Sequence, residues 1–68
     1  MSTLNKIFVV TVLNRQGASL EFVAKTKRDA QTWINSWRDP KNLSARVHDE
    51  FHNELGFKVF GRKTIVWN

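Results

Sequence analysis

Leu43-Ser44-Ala45-Arg46-Val47-His48-Asp49-Glu50-Phe51-His52-Asn53-Glu54-Leu55-Gly56 can be read with two periods, and the fold turns on which one holds. Leu43, Val47, Phe51 and Leu55 recur every four residues, and Gly56 stands where a helix C-cap would place it. Read the other way, Ala45, Val47 and Phe51 alternate with Arg46, His48, Glu50 and His52, the period of a half-buried strand, and only Asp49 breaks it. A local echo favours the strand. Asn53-Glu54-Leu55-Gly56, between Phe51 and Phe57, repeats the Asn-x-x-Gly of Asn14-Arg15-Gln16-Gly17, between Leu13 and Ala18. The stretch is therefore expected to belong to a second hairpin, with a helix as the alternative.

The N-terminal neighbour of this region is less ambiguous. Residues 6–13, Lys-Ile-Phe-Val-Val-Thr-Val-Leu, are β-branched and aromatic. Ile7, Val9 and Leu13 fall on one face and Phe8, Val10 and Val12 on the other, which predicts a central strand covered on both sides. Asn14 suits the start of a type I turn, and Gly17 the left-handed position that closes it with a bulge. Residues 18–25 then alternate, with Leu20, Phe22 and Ala24 on one face and Ser19, Glu21, Val23 and Lys25 on the other. The pair makes a hairpin.

Thr26 opens a helix, with Asp29 near the positive end of its dipole. Ala30, Trp33, Ile34 and Trp37 form one apolar stripe. Pro40 is expected to end the helix by pushing its predecessor out of helical geometry, so the helix runs over about 27–38 with both tryptophans facing inward. Burying two such side chains contributes several kcal/mol at about 25 cal/mol per Å². The last run, Phe57 to Trp67, reads as one long strand with a bend at Gly61; a tight Gly61-Arg62 turn splitting it in two is the alternative. Trp67 is either pinned on the core or offered to a partner. The expected fold is a single α+β domain over residues 1–68, ββαββ, a small antiparallel sheet with one helix packed on one face.

Composition narrows the function. The 68 residues hold no cysteine, which excludes a disulfide scaffold and a thiolate zinc site. Hydrophobic residues at 41% are too many for a disordered tail. No apolar run approaches the roughly 18–20 residues that span a bilayer, and residues 1–20 carry no secretory signal pattern. A cytoplasmic protein without membrane contact is expected. No Ser or Thr sits in a nucleophile elbow, and the three glycines are isolated turn markers that cradle no phosphate. Asp49, Glu50 and Glu54 read as solvated acids flanking a turn, because acid–base work needs an enclosed cleft. His48 and His52 lack the Glu that a zincin places directly after its first His. On a strand they would sit about 13 Å apart at 3.3 Å per residue, too far for one ion, so no metal or other cofactor is expected and the chain is read as a non-enzyme.

Charge carries the remaining inference. Eleven Lys and Arg against six Asp and Glu leave a net +5, which favours anionic partners. If Leu20, Phe22 and Val47 point at the helix, the opposite face carries Val23, Lys25, Arg46, His48 and His52. One register of the last strand adds Lys58 and Phe60, and Phe8 and Val10 are further candidates. An open sheet that mixes cations with aromatics can bind phosphates and stack bases. Lys25, Arg46, Lys58, Arg62 and Lys63 are the expected phosphate contacts, and Phe60 the expected stacking platform, for nucleic acid. The alternative partner is an acidic protein surface.

From Lys6 to Trp37 the pattern resembles the hairpin-then-helix of arm-site-binding domains in phage integrases, with Phe22 on the second strand and Thr26-Lys27-x-x-Ala30 at the helix start. That resemblance implies a DNA-reading sheet. The strand-strand-helix-strand order over this length is also similar to small phage-encoded inhibitors that seize a host enzyme. Together the two resemblances imply a virus-encoded accessory protein.

Overall fold

The structure, a computed structural model, describes residues 7–68; Lys6, assigned to the first strand by sequence, lies outside them. The elements are β1 (Phe8–Asn14), β2 (Ser19–Ala24), α1 (Lys27–Asn35), a 3-10 turn (Pro40–Asn42), β3 (Leu43–His48), β4 (Glu54–Lys58) and β5 (Val66–Trp67). The five strands form one sheet in the order β2-β1-β3-β4-β5 with every neighbouring pair antiparallel. This is the α+β layer expected from the sequence, with five strands where ββαββ has four. The run 57–67 is two strands, because Val59–Arg62 turns, with the Arg62 N–H donating to the Val59 carbonyl at 3.3 Å and Gly61 at φ 88°.

The doubly apolar β1 lies between β2 and β3. Its ladders align Val10 with Phe22 and Val47, and Val12 with Leu20 and Ala45. Phe8, Val10, Val12, Ala45 and Val47 are buried with Ala30 and Ile34 of α1 in one cluster. Phe8 and Val10 thus belong to the helix side and are unavailable to a partner on the far face. Trp33 and Trp37 are half-buried rather than enclosed, and they pack against this cluster. Trp33 stacks on Phe22 at 4.6 Å and meets Trp37 edge-on at 5.6 Å. Trp67 is pinned on the core, edge-on to Phe8 at 5.8 Å.

Thr26 caps α1 as expected, its Oγ1 accepting from the Asp29 N–H at 3.0 Å. The helix stops at Asn35, however, earlier than a proline stop implies. The Ser36 hydroxyl donates to the Trp33 carbonyl at 2.6 Å, a local bond that competes with helix propagation. Residues 36–39 are then free to cross from the helix to the 3-10 turn.

The β3–β4 turn lies four residues before its expected place. Asp49, not Asn53, starts it. Asp49 Oδ1 accepts from the N–H groups of Phe51 (2.8 Å) and Asn53 (2.9 Å), and the Asp49 N–H donates to the Asn53 carbonyl at 3.0 Å. The β1–β2 turn repeats each bond: Asn14 Oδ1 accepts from Gln16 and Ala18, both at 2.9 Å, and the Asn14 N–H donates to the Ala18 carbonyl at 3.0 Å. His52, at φ 66°, takes the left-handed place that Gly17 holds at φ 91°. The Asn-x-x-Gly at 53–56 does not form the turn; the structural repeat of Asn14–Gly17 is Asp49–His52, which lacks the glycine.

Gly56 lies inside β4 instead of in a turn. His48 pairs with Glu54 while Val47 pairs with Gly56, so Leu55 is the extra residue of a bulge. A Cβ on Gly56 would stand 2.8 Å from the Val66 carbonyl oxygen and 2.9 Å from the Trp67 ring. Gly56→Ala is expected to lower stability by about 1–3 kcal/mol through overpacking, read from the urea midpoint.

Asp49 has its carboxyl held below the ordinary 3.8, mainly by the backbone N–H of Asn53. A lowered folded pKa means that its stabilisation is present above 3.8 and is lost as pH falls through the folded value. Asp49→Asn keeps the Oδ1 acceptor, as Asn14 does, and should flatten that part of the acid limb in urea midpoints measured below about pH 4.

Candidate functional site

The sheet face away from α1 is open, and register assigns its residues. One row runs Val23, Val9, His48, Glu54; the next runs Glu21, Thr11, Arg46, Phe57, Val66. Leu13, Ser19 and Ser44 form a third. A concavity of about 580 Å³ lies here, between Leu13, Arg46, Phe57 and Val59. Leu13, Val23, Phe57, Val59 and Val66 are exposed. Within the rows one cation, Arg46, stands with two acids, Glu21 and Glu54, so the face is apolar and not cationic.

The six residues expected on a basic sheet face are therefore not brought together. Arg46 is on it. Lys25 follows the last residue of β2, at the end where α1 begins. Lys63 is in the loop beside the helix, its carbonyl accepting from Gln31 Nε2 at 2.8 Å. Phe60 and Arg62 are in the turn beyond β4. Lys58 is on the helix side, opposite Ala45, and 1% exposed. Its Nζ donates to the carbonyls of Pro40 and Leu43. Burial pushes its pKa below the ordinary 10.5. Committed to two carbonyls inside the fold, that ammonium cannot neutralise a phosphate.

Cations do converge elsewhere, at the end of the sheet that holds the β1–β2 turn. Antiparallel pairing brings Arg15, the 3-10 turn and the loop after β4 to this end, since Asn14 pairs with Leu43 there. Arg15 Nε donates to Asn42 Oδ1 at 3.1 Å. The Arg15 guanidinium lies 4.5 Å from the Phe60 ring centre, a cation–π contact. The Gly61 N–H donates to the Lys41 carbonyl at 2.7 Å, which binds the loop carrying Arg62 to the 3-10 turn. Arg15 and Arg38 line one hollow of about 290 Å³, together with Trp37, Asp39 and Asn42. Arg15, Arg38, Lys41 and Arg62 are all exposed at this end. Asp39 is the acid among them, and it accepts from Asn42 Nδ2.

Sequence reasoning missed Arg15, Arg38 and Lys41 because Arg15 and the loop after β4 are far in the chain from the Arg38–Lys41 segment. The available signal was that each flanks a predicted turn or helix end. Antiparallel topology sends alternate turns to the same end.

The opposite end carries Asp49, Glu50 and Glu54 with the histidines. His48 and His52 are not 13 Å apart, as a continuous strand would hold them. The turn between them folds His52 back, and the ring centres stand 5.2 Å apart.

Comparisons with protein-family models, curated proteins and solved structures find no match to this chain. Among the described residues no helix is long and apolar enough to cross a membrane.

Lys58→Met should lower stability by about 1–3 kcal/mol, because two buried carbonyls lose their donor.

Proposed function

We propose that this chain is a non-catalytic binding module that takes nucleic acid at the end formed by Arg15, Arg38, Lys41 and Arg62. The observation that carries the reading is the Arg15–Phe60 stack among those cations. Phe60 is 36% exposed. With Arg15 against the ring, an unpaired base can stack on what remains open while the surrounding cations contact its phosphates. Single-stranded nucleic acid suits such a tip better than duplex, whose bases are already stacked. Lys25, Arg46, Lys58 and Lys63 drop out of the contact set, and Phe60 and Arg62 stay in it. A cytoplasmic, virus-encoded accessory protein is the setting the integrase-like hairpin and helix suggest.

Anisotropy of a labelled single-stranded oligonucleotide against salt tests this. Three to four neutralised phosphates predict a slope of about −2 to −3 in log affinity per log salt, at about −0.7 for each phosphate. Arg62→Ala should flatten that slope by about 0.7, and Lys25→Ala at the far end should leave it unchanged. A flat salt response, or no binding in about 20 mM salt, defeats the proposal.

One observation favours a second reading. Leu13, Phe57, Val59 and Val66 are exposed on one sheet face, which suits docking on a host enzyme. A nuclease-treated pull-down from host lysate should then recover one protein, and Phe57→Glu should release it.

A further inference from the structure

Among the described residues no group of three or more His, Cys, Asp or Glu side chains is arranged to hold a metal ion. The β3–β4 turn nonetheless gathers two nitrogen donors. The imidazoles of His48 and His52 lie 5.2 Å apart with their planes 28° from parallel. We propose that this turn is a two-imidazole site for a divalent transition-metal ion, holding Cu2+ more tightly than Ni2+ or Zn2+, with water completing the coordination.

Three features of the turn carry the proposal. The first is the hydrogen bond of His48. Its Nδ1 lies 2.8 Å from the Asp49 carbonyl oxygen, which can only accept. Nδ1 therefore carries a proton, and Nε2 is the nitrogen left to face a metal. A backbone carbonyl behind the ring is the usual second partner of a metal-bound histidine, because it sets the tautomer and the ring's orientation.

The second feature is the backbone of His52. It sits at φ 66°, where the equivalent turn uses Gly17. Glycine would occupy that position without strain. Histidine there bears a strain that glycine would not, and the bonds closing the turn come from Asp49 and the backbone, including the His52 N–H donating to the Asp49 carbonyl at 3.1 Å, with none from the imidazole. A strained residue whose side chain is not needed for the turn points to a task for that side chain.

The third feature is the local charge. Glu54 faces His48 across the β3–β4 ladder, and Glu50 is exposed on the turn. Asp49 is committed to its N–H groups and is a poor candidate ligand, but its charge remains. A dication would enter a negative neighbourhood on a protein whose net charge is +5.

Two imidazoles binding one ion at about 2.0–2.1 Å each stand about 3 Å apart at their nitrogens. Stacked rings hold their in-plane lone pairs near parallel, so reaching that spacing takes a rotation of the exposed His52 side chain while His48 keeps its bond to the Asp49 carbonyl. Imidazole donors and the order of divalent affinities put Cu2+ first.

The test is calorimetric titration of the full chain with CuCl2, and separately with ZnCl2, in a buffer that does not coordinate metal. Nucleic acid is absent, so the outcome is independent of the proposed phosphate-binding end. One saturable site per chain is expected. His48→Ala and His52→Gly should each weaken it at least about tenfold. His52→Gly relieves the left-handed strain, so its melting temperature should hold or rise, and a loss of uptake then reports a lost ligand rather than a lost fold. No saturable uptake, or uptake that His52→Gly leaves intact, overturns the site.

Discussion

The ammonium of Lys58 is the contact on which the layout of this molecule depends. It sits inside the fold, 1% exposed, and binds the carbonyls of Pro40 and Leu43. Those carbonyls belong to the segment that carries the chain from the helix back to the sheet. Without a donor there, that segment would have two polar groups facing the core and little to hold it against β4. Removing a charge from water is expensive, and burial shows in the lowered pKa of this amine. The carbonyl bonds offset part of that cost. The consequence is positional: Lys41 and Arg38 flank the anchored segment, while Val59 to Arg62 continue directly from the strand that supplies the anchor. One buried cation thereby sets the place of several exposed ones.

Local chemistry was legible in the sequence where it is encoded within a few residues. The cap at Thr26, the two-faced β1 and the turn at Asn14 all follow from side chains acting on their immediate backbone. The competing helix over 43–55 is also decided locally. Asp49 accepts from two backbone N–H groups ahead of it, which breaks the four-residue spacing and closes a hairpin instead. What misled the reading was the glycine. Asn-x-x-Gly predicts a turn because glycine enters the left-handed region freely, yet His52 enters it here, and Gly56 is required for a different reason, the close approach of β5. A glycine marks a backbone constraint without saying which kind.

The faces of the last strands were not legible, and the cause is one residue. From Glu54, which faces away from α1 with its partner His48, simple alternation would send Gly56 and Lys58 to the open face. The bulge at Leu55 reverses that parity. Lys58 turns inward and Phe57 outward, so a presumed phosphate contact becomes a structural anchor and an aromatic side chain becomes exposed. Bulges depend on pairing between distant segments, so periodicity within β4 alone could not reveal this one. The same limit applied to Gln31. Its side-chain amide accepts from the Ile65 N–H at 2.8 Å and donates to the Lys63 carbonyl, holding the C-terminal segment against the helix in the manner of a strand edge.

The charge pattern follows from topology in the same way. Two turns of matching hydrogen-bond pattern, at Asn14 and Asp49, lie at opposite ends of the sheet because β1 and β3 are antiparallel neighbours. One is decorated with Arg15 and the other with Glu50, so identical backbone chemistry presents opposite charge. The 3-10 turn and the loop after β4 add their cations to the first end, and Glu54 adds its charge to the second. Lys25 lies at the second end too, so the net +5 is spread unevenly, with Arg15, Arg38, Lys41 and Arg62 gathered at the first. The rows of the sheet face between the tips hold one cation, Arg46, two acids and an apolar centre, and so offer little to a phosphate. The separation of the cationic end from the apolar face follows from where antiparallel strands send their turns.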